Sequence, residues 1–132
     1  MDFTFKKEER LCSPVLIEKL YREGESFLCY PLRFVCLKSD DAATVNVKVL
    51  LTASKKTFKR AVDRNLLKRR MREAYRLNKN QLSETVQGFQ LILAINYIGK
   101  EIVEFKTIET KMLKGFEQLK TNILLKNNTI TA

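Results

Sequence analysis

Histidine is absent from this 132-residue chain, and glycine occurs only four times. Without histidine there is no Ser-His-Asp or Cys-His machinery, no His-ligated zinc and no imidazole base. With so little glycine there is neither a Walker A loop nor a G-x-G-x-x-G phosphate cradle. Carboxylate or lysine catalysis stays open in principle, but no other signature supports it, and no catalytic residue or metal ligand is assigned. The three cysteines, Cys12, Cys29 and Cys36, form no C-x-x-C pair. Their odd number and wide spacing argue against a disulfide framework or an all-cysteine zinc site, and they read as buried structural thiols. Apolar residues never run for the 18 or so positions that a membrane span needs. The start, Phe3 and Phe5 followed by Lys6, Lys7, Glu8, Glu9 and Arg10, lacks the apolar stretch of a signal peptide. The expected compartment is the cytoplasm.

What the chain does have is concentrated positive charge. It is 45% apolar and 30% charged, the balance of a globular domain, with a net charge of +10. Residues 55–79 hold eleven basic residues and two acids, leaving fourteen basic and thirteen acidic residues for all the rest. A basic segment on a nearly neutral body is the footprint of a polyanion-binding protein.

Periodicity gives the order α-β-β-α-β-α. Ser13-Pro14 reads as an N-cap and first helical proline, opening a short helix with Val15, Leu16, Leu20 and Tyr21 that Gly24 ends. Phe27 to Leu37 reads as one strand, with Pro31 implying an edge position or a late start. A turn over 39–43 leads to a second strand, Val45 to Leu51, expected to form a hairpin with the first. A basic helix follows from about Lys59 to Asn78, then a loop over 83–88. A richly apolar third strand, Phe89 to Tyr97, is expected to be central. The last helix, from about Phe105, carries Ile108, Met112, Phe116, Leu119 and Ile123 on one face. No linker or repeat divides the chain. The reading is a single RNA-binding domain over 1–126 and a flexible C-terminal tail over 127–132. The fold class is α+β, an α/β sandwich whose basic crossover helix would leave its two flanking strands parallel.

Lys56, Arg60, Arg64, Lys68, Arg72 and Arg76 fall at intervals of four. On a helix that spacing makes a cationic ridge, drifting only about 40° per step. Leu67, Met71 and Tyr75 make a parallel row that can pack on the sheet, while Val62 and Leu66 point elsewhere. A merely solvated face would carry balancing acids four positions away. Here they are missing, and like charges at that spacing each cost roughly 0.2–0.5 kcal/mol. Arginines can grip phosphates bidentately and lysines act as point charges. Asn65 could order a phosphate, a 2′-hydroxyl or a hydrated metal ion. Ser54-Lys55-Lys56 sits where a helix N-terminus favours anions.

Ser54-Lys55-Lys56, followed by Ala61-Val62-x-Arg64-Asn65-x-x-Lys68-Arg69-x-x-Arg72-Glu73-x-Tyr75-Arg76, resembles the signature of the bacterial ribonuclease P protein subunit. Phe5-x-Lys7-x-x-Arg10-Leu11, Tyr21-x-x-Gly24, the third strand and the last helix extend the resemblance over about residues 3–124. It implies a mostly antiparallel sheet with a left-handed crossover helix, like the second domain of ribosomal protein S5. It also implies a partnership with a catalytic RNA that removes the 5′ leader of precursor tRNA using Mg2+. No protein partner and no membrane are implied, and no cofactor held by the protein itself. By position, Arg64, Asn65, Lys68, Arg69 and Arg72 would contact that RNA, supported by Lys55, Lys56, Lys59, Arg60 and Arg76. Ile17, Tyr21 and Phe34 would line a cleft for the leader, although Tyr21 could equally be core. Two departures stand out: Leu66 replaces the expected third motif arginine, with Arg70 as a possible substitute, and Ile17 replaces an aromatic residue.

The same ridge could serve a ribosomal or RNA-chaperone protein on another RNA. A DNA-binding regulator fits less well, because base readout wants more side chains than one asparagine. A stand-alone nuclease would need clustered acids, and Asp40-Asp41 reads as a turn.

Overall fold

The computed structural model describes residues 9–39, 47–86 and 89–131, with side chains described as far as Asn122. Its elements in chain order are α1 (Pro14–Glu23), β1 (Glu25–Cys29), β2 (Leu32–Ser39), β3 (Val47–Ala53), α2 (Ala61–Ser83), β4 (Gln90–Tyr97) and α3 (Phe105–Thr131). The four strands form one sheet in the order β1-β2-β4-β3. β1 and β2 are antiparallel, as are β2 and β4, whereas β3 and β4 run parallel across the α2 crossover. The sheet is therefore mixed, within an α+β sandwich.

Four expectations need correction. The single strand over 27–37 is a hairpin, turning at Tyr30-Pro31, whose peptide bond is cis. Pro31 thus lies in a turn and not within an edge strand. The strand expected over Val45–Leu51 runs on to Ala53, with Val45 and Asn46 outside the described residues, and it is not the hairpin partner of its predecessor, because β4 inserts between β2 and β3. The physical reason is burial: Leu91 to Ile95 are buried without a break on both faces, which only an interior strand can satisfy. The basic helix starts at Ala61 and ends at Ser83, later at both ends than expected. α3 continues to Thr131, past the expected break at Lys126, with no proline or glycine after Gly115 to stop it. Most of the 39–43 turn and the Phe5-x-Lys7 motif lie outside the described residues.

Each sheet face has its own cover. On one face Leu32, Phe34, Cys36, Val47, Val49, Leu93, Ile95 and Tyr97 pack with Leu67, Met71 and Tyr75 of α2 and Ile108, Met112, Phe116 and Leu119 of α3. On the other, Val35, Ile92 and Ala94 receive Leu20 of α1 and Leu11. Ser13 caps α1 as expected, its Oγ accepting from Leu16 N at 3.4 Å. Gly24 ends α1 for a steric reason and not a conformational one. Its φ is an ordinary −74°, but a Cβ there would come 2.4 Å from the Leu20 carbonyl oxygen. Of the three cysteines only Cys36 is buried; Cys12 is exposed and Cys29 intermediate, so the reading of all three as core thiols holds for one.

Candidate nucleic-acid interface

The basic segment divides into a loop and a helix. Lys55, Lys56, Lys59 and Arg60 all precede the first turn of α2 and are exposed, so the ridge of six is not one helical row. Ser54 shapes that loop, accepting from Lys56 N at 3.1 Å, and Phe58 pins it by packing with Tyr97 in the core. Arg60 occupies the N-cap position without a side-chain cap. Arg64 folds back instead, its Nη1 donating to the carbonyls of Phe58 at 2.7 Å and Lys59 at 3.0 Å. The loop and the helix N-terminus are thus tied by the first motif arginine.

Within α2 the outward stripe is Asn65, Arg69, Arg72 and Arg76, spaced four, three and four, the period of a single helix face. The first three are exposed, and Val62, 67% exposed, extends the stripe by a turn. Lys68 flanks it, half-buried. At the far end Arg76 is engaged by Glu73, with Nε–Oε1 and Nη2–Oε2 both 3.0 Å. Those hydrogen bonds hold the Glu73 carboxyl below its usual range and raise the guanidinium in turn. The stripe is strongest at its N-terminal end, away from this pair. Arg70 does not stand in for the arginine that Leu66 replaces. It faces α3 and donates to the Val103 carbonyl at 2.6 Å. Lys79, counted in the basic segment, is buried and bound to Glu9 at 2.7 Å, so it adds nothing to the surface.

Of the three residues expected to line a cleft, Ile17 and Tyr21 lie on the α1 side of the sheet and Phe34 does not. Phe34 faces the opposite side of the sheet, stacked on Phe27 with ring centroids 5.1 Å apart and covered by α3. Strand alternation puts its neighbour Arg33 on the α1 face. The strand registers align Leu28, Arg33, Asn96 and Thr52 as one row across that face. Tyr21, 43% exposed, hangs over this row, and its hydroxyl donates to Asn96 Oδ1 at 2.9 Å. Thr52 Oγ1 donates to the same oxygen at 2.7 Å. The ring is therefore fixed by its hydroxyl and not by core packing. Arg33, Thr52 and Asn96 were missed from sequence; their only signal was polarity at alternate positions of otherwise apolar strands. Because β3 and β4 are parallel, this row ends beside Ser54-Lys55-Lys56, so cleft and basic loop share one end of the sheet. Among the described residues no three acidic, histidine or cysteine side chains converge as metal ligands. None of their helices is long and apolar enough to cross a membrane.

Residues 5–120 match the family described as Ribonuclease P. The ribonuclease P protein component of Porphyromonas gingivalis is 36% identical over 123 residues, which cover 92% of this chain and 90% of that protein. That of Chlorobium phaeobacteroides is 38% identical over 109 residues, 73% of each chain. Among solved structures, the ribonuclease P protein of Thermotoga maritima superposes with a TM-score of 0.64 at 24% identity, covering 83% of this chain and 96% of that one. The Staphylococcus aureus protein gives 0.60 at 20%, covering 84% and 94%. Fold, motif and relatives agree: the chain belongs to the ribonuclease P protein family.

Proposed function

We propose that this protein binds the catalytic RNA of ribonuclease P through the 54–60 loop and the Asn65–Arg76 stripe. We also propose that it holds the 5′ leader of precursor tRNA in the cleft beneath Tyr21. Its membership makes it the protein component of a tRNA-processing ribonucleoprotein, with the ribonuclease P RNA as partner. The observation that carries the finer reading is the shared end of the sheet, where an exposed cationic loop meets a polar cleft row. An RNA duplex docked on α2 would place a single strand leaving it within reach of Arg33, Asn96 and the Tyr21 ring. Guanidinium groups along the stripe neutralise phosphates and release counterions, which favours assembly at low salt. The bond-breaking step would then belong to the RNA, with Mg2+ supplying Lewis acidity there and the residues of this chain supplying binding and positioning. The protein alone cleaves nothing, and the complex works in the cytoplasm.

The test is cleavage of a precursor tRNA at low magnesium by the cognate RNA alone, the protein alone, and both together. Activity only with both, or much faster with both, is the expected result. Tight RNA binding without any gain in cleavage would leave a basic RNA-binding module and overturn the reading.

A further inference from the structure

Beyond the cleft, on the opposite face of the sheet, lies a recess of about 490 Å³ lined by Tyr30, Pro31, Tyr97, Gly99, Val103 and the N-terminal turns of α3. Its wall is aromatic and apolar. Lys100, Glu101, Thr107 and Lys111 supply its polar groups. The Tyr30 side chain is 61% exposed at the tip of the β1–β2 hairpin, so its ring is open to contact from outside the chain. Neither lysine pairs with a carboxylate among the described residues. Gly99 keeps the recess open at its base: a Cβ there would lie 2.7 Å from Pro31 and 3.2 Å from the Tyr97 ring. α3 carries Thr107, Lys111 and Lys114 at spacings of four and three, one helix face. Both lysines act electrostatically on Cys29 of β1, so that face lies along the hairpin.

The recess is also joined to the basic helix. Arg70 of α2 donates to the carbonyl of Val103, one of its lining residues. The hairpin tip, the end of β4 and the Ser54-Lys55-Lys56 loop all lie at the same end of the sheet. It therefore continues the α2 surface around the side away from the leader cleft.

We propose that this recess receives one unpaired nucleotide of the catalytic RNA, its base stacked on Tyr30 and its flanking phosphates held by Lys100 and Lys111. An aromatic ring beside paired cations is how proteins hold unstacked bases, and stacking tolerates any base. Glu101 adds an acceptor for a base amino group or a 2′-hydroxyl. The leader is not the occupant, because its cleft lies across the sheet. This inference rests on the partnership with the ribonuclease P RNA.

The experiment measures dissociation constants of the full chain for the cognate RNA over a range of salt. It also probes base reactivity on that RNA with bound protein. Tyr30→Ala should weaken binding by roughly 5- to 150-fold and expose one base that the unaltered protein protects, whereas Tyr30→Phe should retain both. A Lys100→Ala, Lys111→Ala pair should lower the salt slope by about two. Unchanged thermal unfolding of Tyr30→Ala, expected for so exposed a side chain, assigns the loss to contact and not to folding. Binding by Tyr30→Ala within twofold of the unaltered protein, with no base newly reactive, overturns the proposal. Leader cleavage by the unaltered complex, run alongside, separates the two readings. Stimulated cleavage by the unaltered complex together with binding that does not depend on Tyr30 sinks the recess alone. Dependence of binding on Tyr30 without stimulated cleavage upholds the recess and sinks the processing role.

Discussion

Lys79 shows how a residue's type can mislead about its place. In a tally of charge it belongs to the basic segment, yet its ammonium meets both oxygens of Glu9, at 2.7 and 3.0 Å, with both side chains largely covered. The partner lies 70 residues away in the chain, so no local pattern announces the pair. Removing one member of such a pair leaves the other charge largely covered and unpaired, which is strongly destabilising, toward the low end of the roughly 3–5 kcal/mol typical of fully buried pairs because Glu9 keeps some contact with solvent. Lys79→Ala should therefore shift the urea midpoint strongly downward while the folded protein keeps its salt-dependent RNA affinity. A large loss of affinity with unchanged stability would put Lys79 back on the surface. Tyr75 offers a second test at this scale. Burial pushes its phenol well above the ordinary value, with Glu9 adding to the shift, and burial raises Tyr97 as well. Both stay protonated in the folded state after an unfolded tyrosine, with a pKa of about 10, has begun to ionise. Above that pH the unfolded chain binds fewer protons, so stability is whole below about pH 10 and falls as pH climbs toward the raised native values. Urea midpoints taken between about pH 9 and pH 11 should decline, and less steeply in Tyr75→Phe.

Among the elements, those with an uninterrupted pattern were legible from sequence. The α1 cap, the central β4, the parallel relation across the crossover and the apolar face of α3 all follow from local periodicity. The hairpin was missed although its trace is present: inward positions are Phe27 and Cys29 before the turn, and Leu32, Phe34 and Cys36 after it. That change from odd to even marks a break at Tyr30-Pro31. Alternation also separated Phe34 from Arg33, but which sheet face α1 covers is a tertiary fact, so Phe34 was assigned to the wrong side. Gly115 is the complementary case, a helix-breaking residue kept within a helix. Its Cβ would sit 2.2 Å from the Phe34 ring, so α3 can cross β2 at this depth only without a side chain. Alanine has the better helix propensity by nearly 1 kcal/mol, yet overpacking costs about 1–3 kcal/mol. Gly115→Ala should therefore lower the unfolding midpoint, and a stabilised variant would mean that the ring can move aside. On α2, Arg69→Ala and Arg72→Ala should each reduce the salt slope of RNA binding by about one. Arg76→Ala should do less, because Glu73 already neutralises that guanidinium. Equal slopes for all three would show that the pair opens when RNA binds.

At the scale of the whole molecule, one sheet presents two surfaces that meet at one end. The α2 stripe belongs to the layer on one face, and the Tyr21 cleft belongs to the other. The sheet between them is continuous: β4 is buried on both sides and bonded along its length to β2 and β3. Neither surface needs to rearrange for the other to be occupied, so substitutions on the two should act independently. Changes at well-separated sites without shared partners add to within about 0.3–0.5 kcal/mol, roughly a factor of two. Tyr21→Ala should leave affinity for the catalytic RNA unchanged and weaken binding of precursor tRNA to the assembled complex, with no effect on mature tRNA, which has no leader. Arg69→Ala should weaken assembly whatever the tRNA. The combined variant, measured for assembly and for leader-dependent affinity, should show the product of the two single effects. Coupling well beyond twofold, or weakened assembly in Tyr21→Ala alone, would mean that catalytic RNA and leader compete for a common surface, and the division of labour between the two faces would fall.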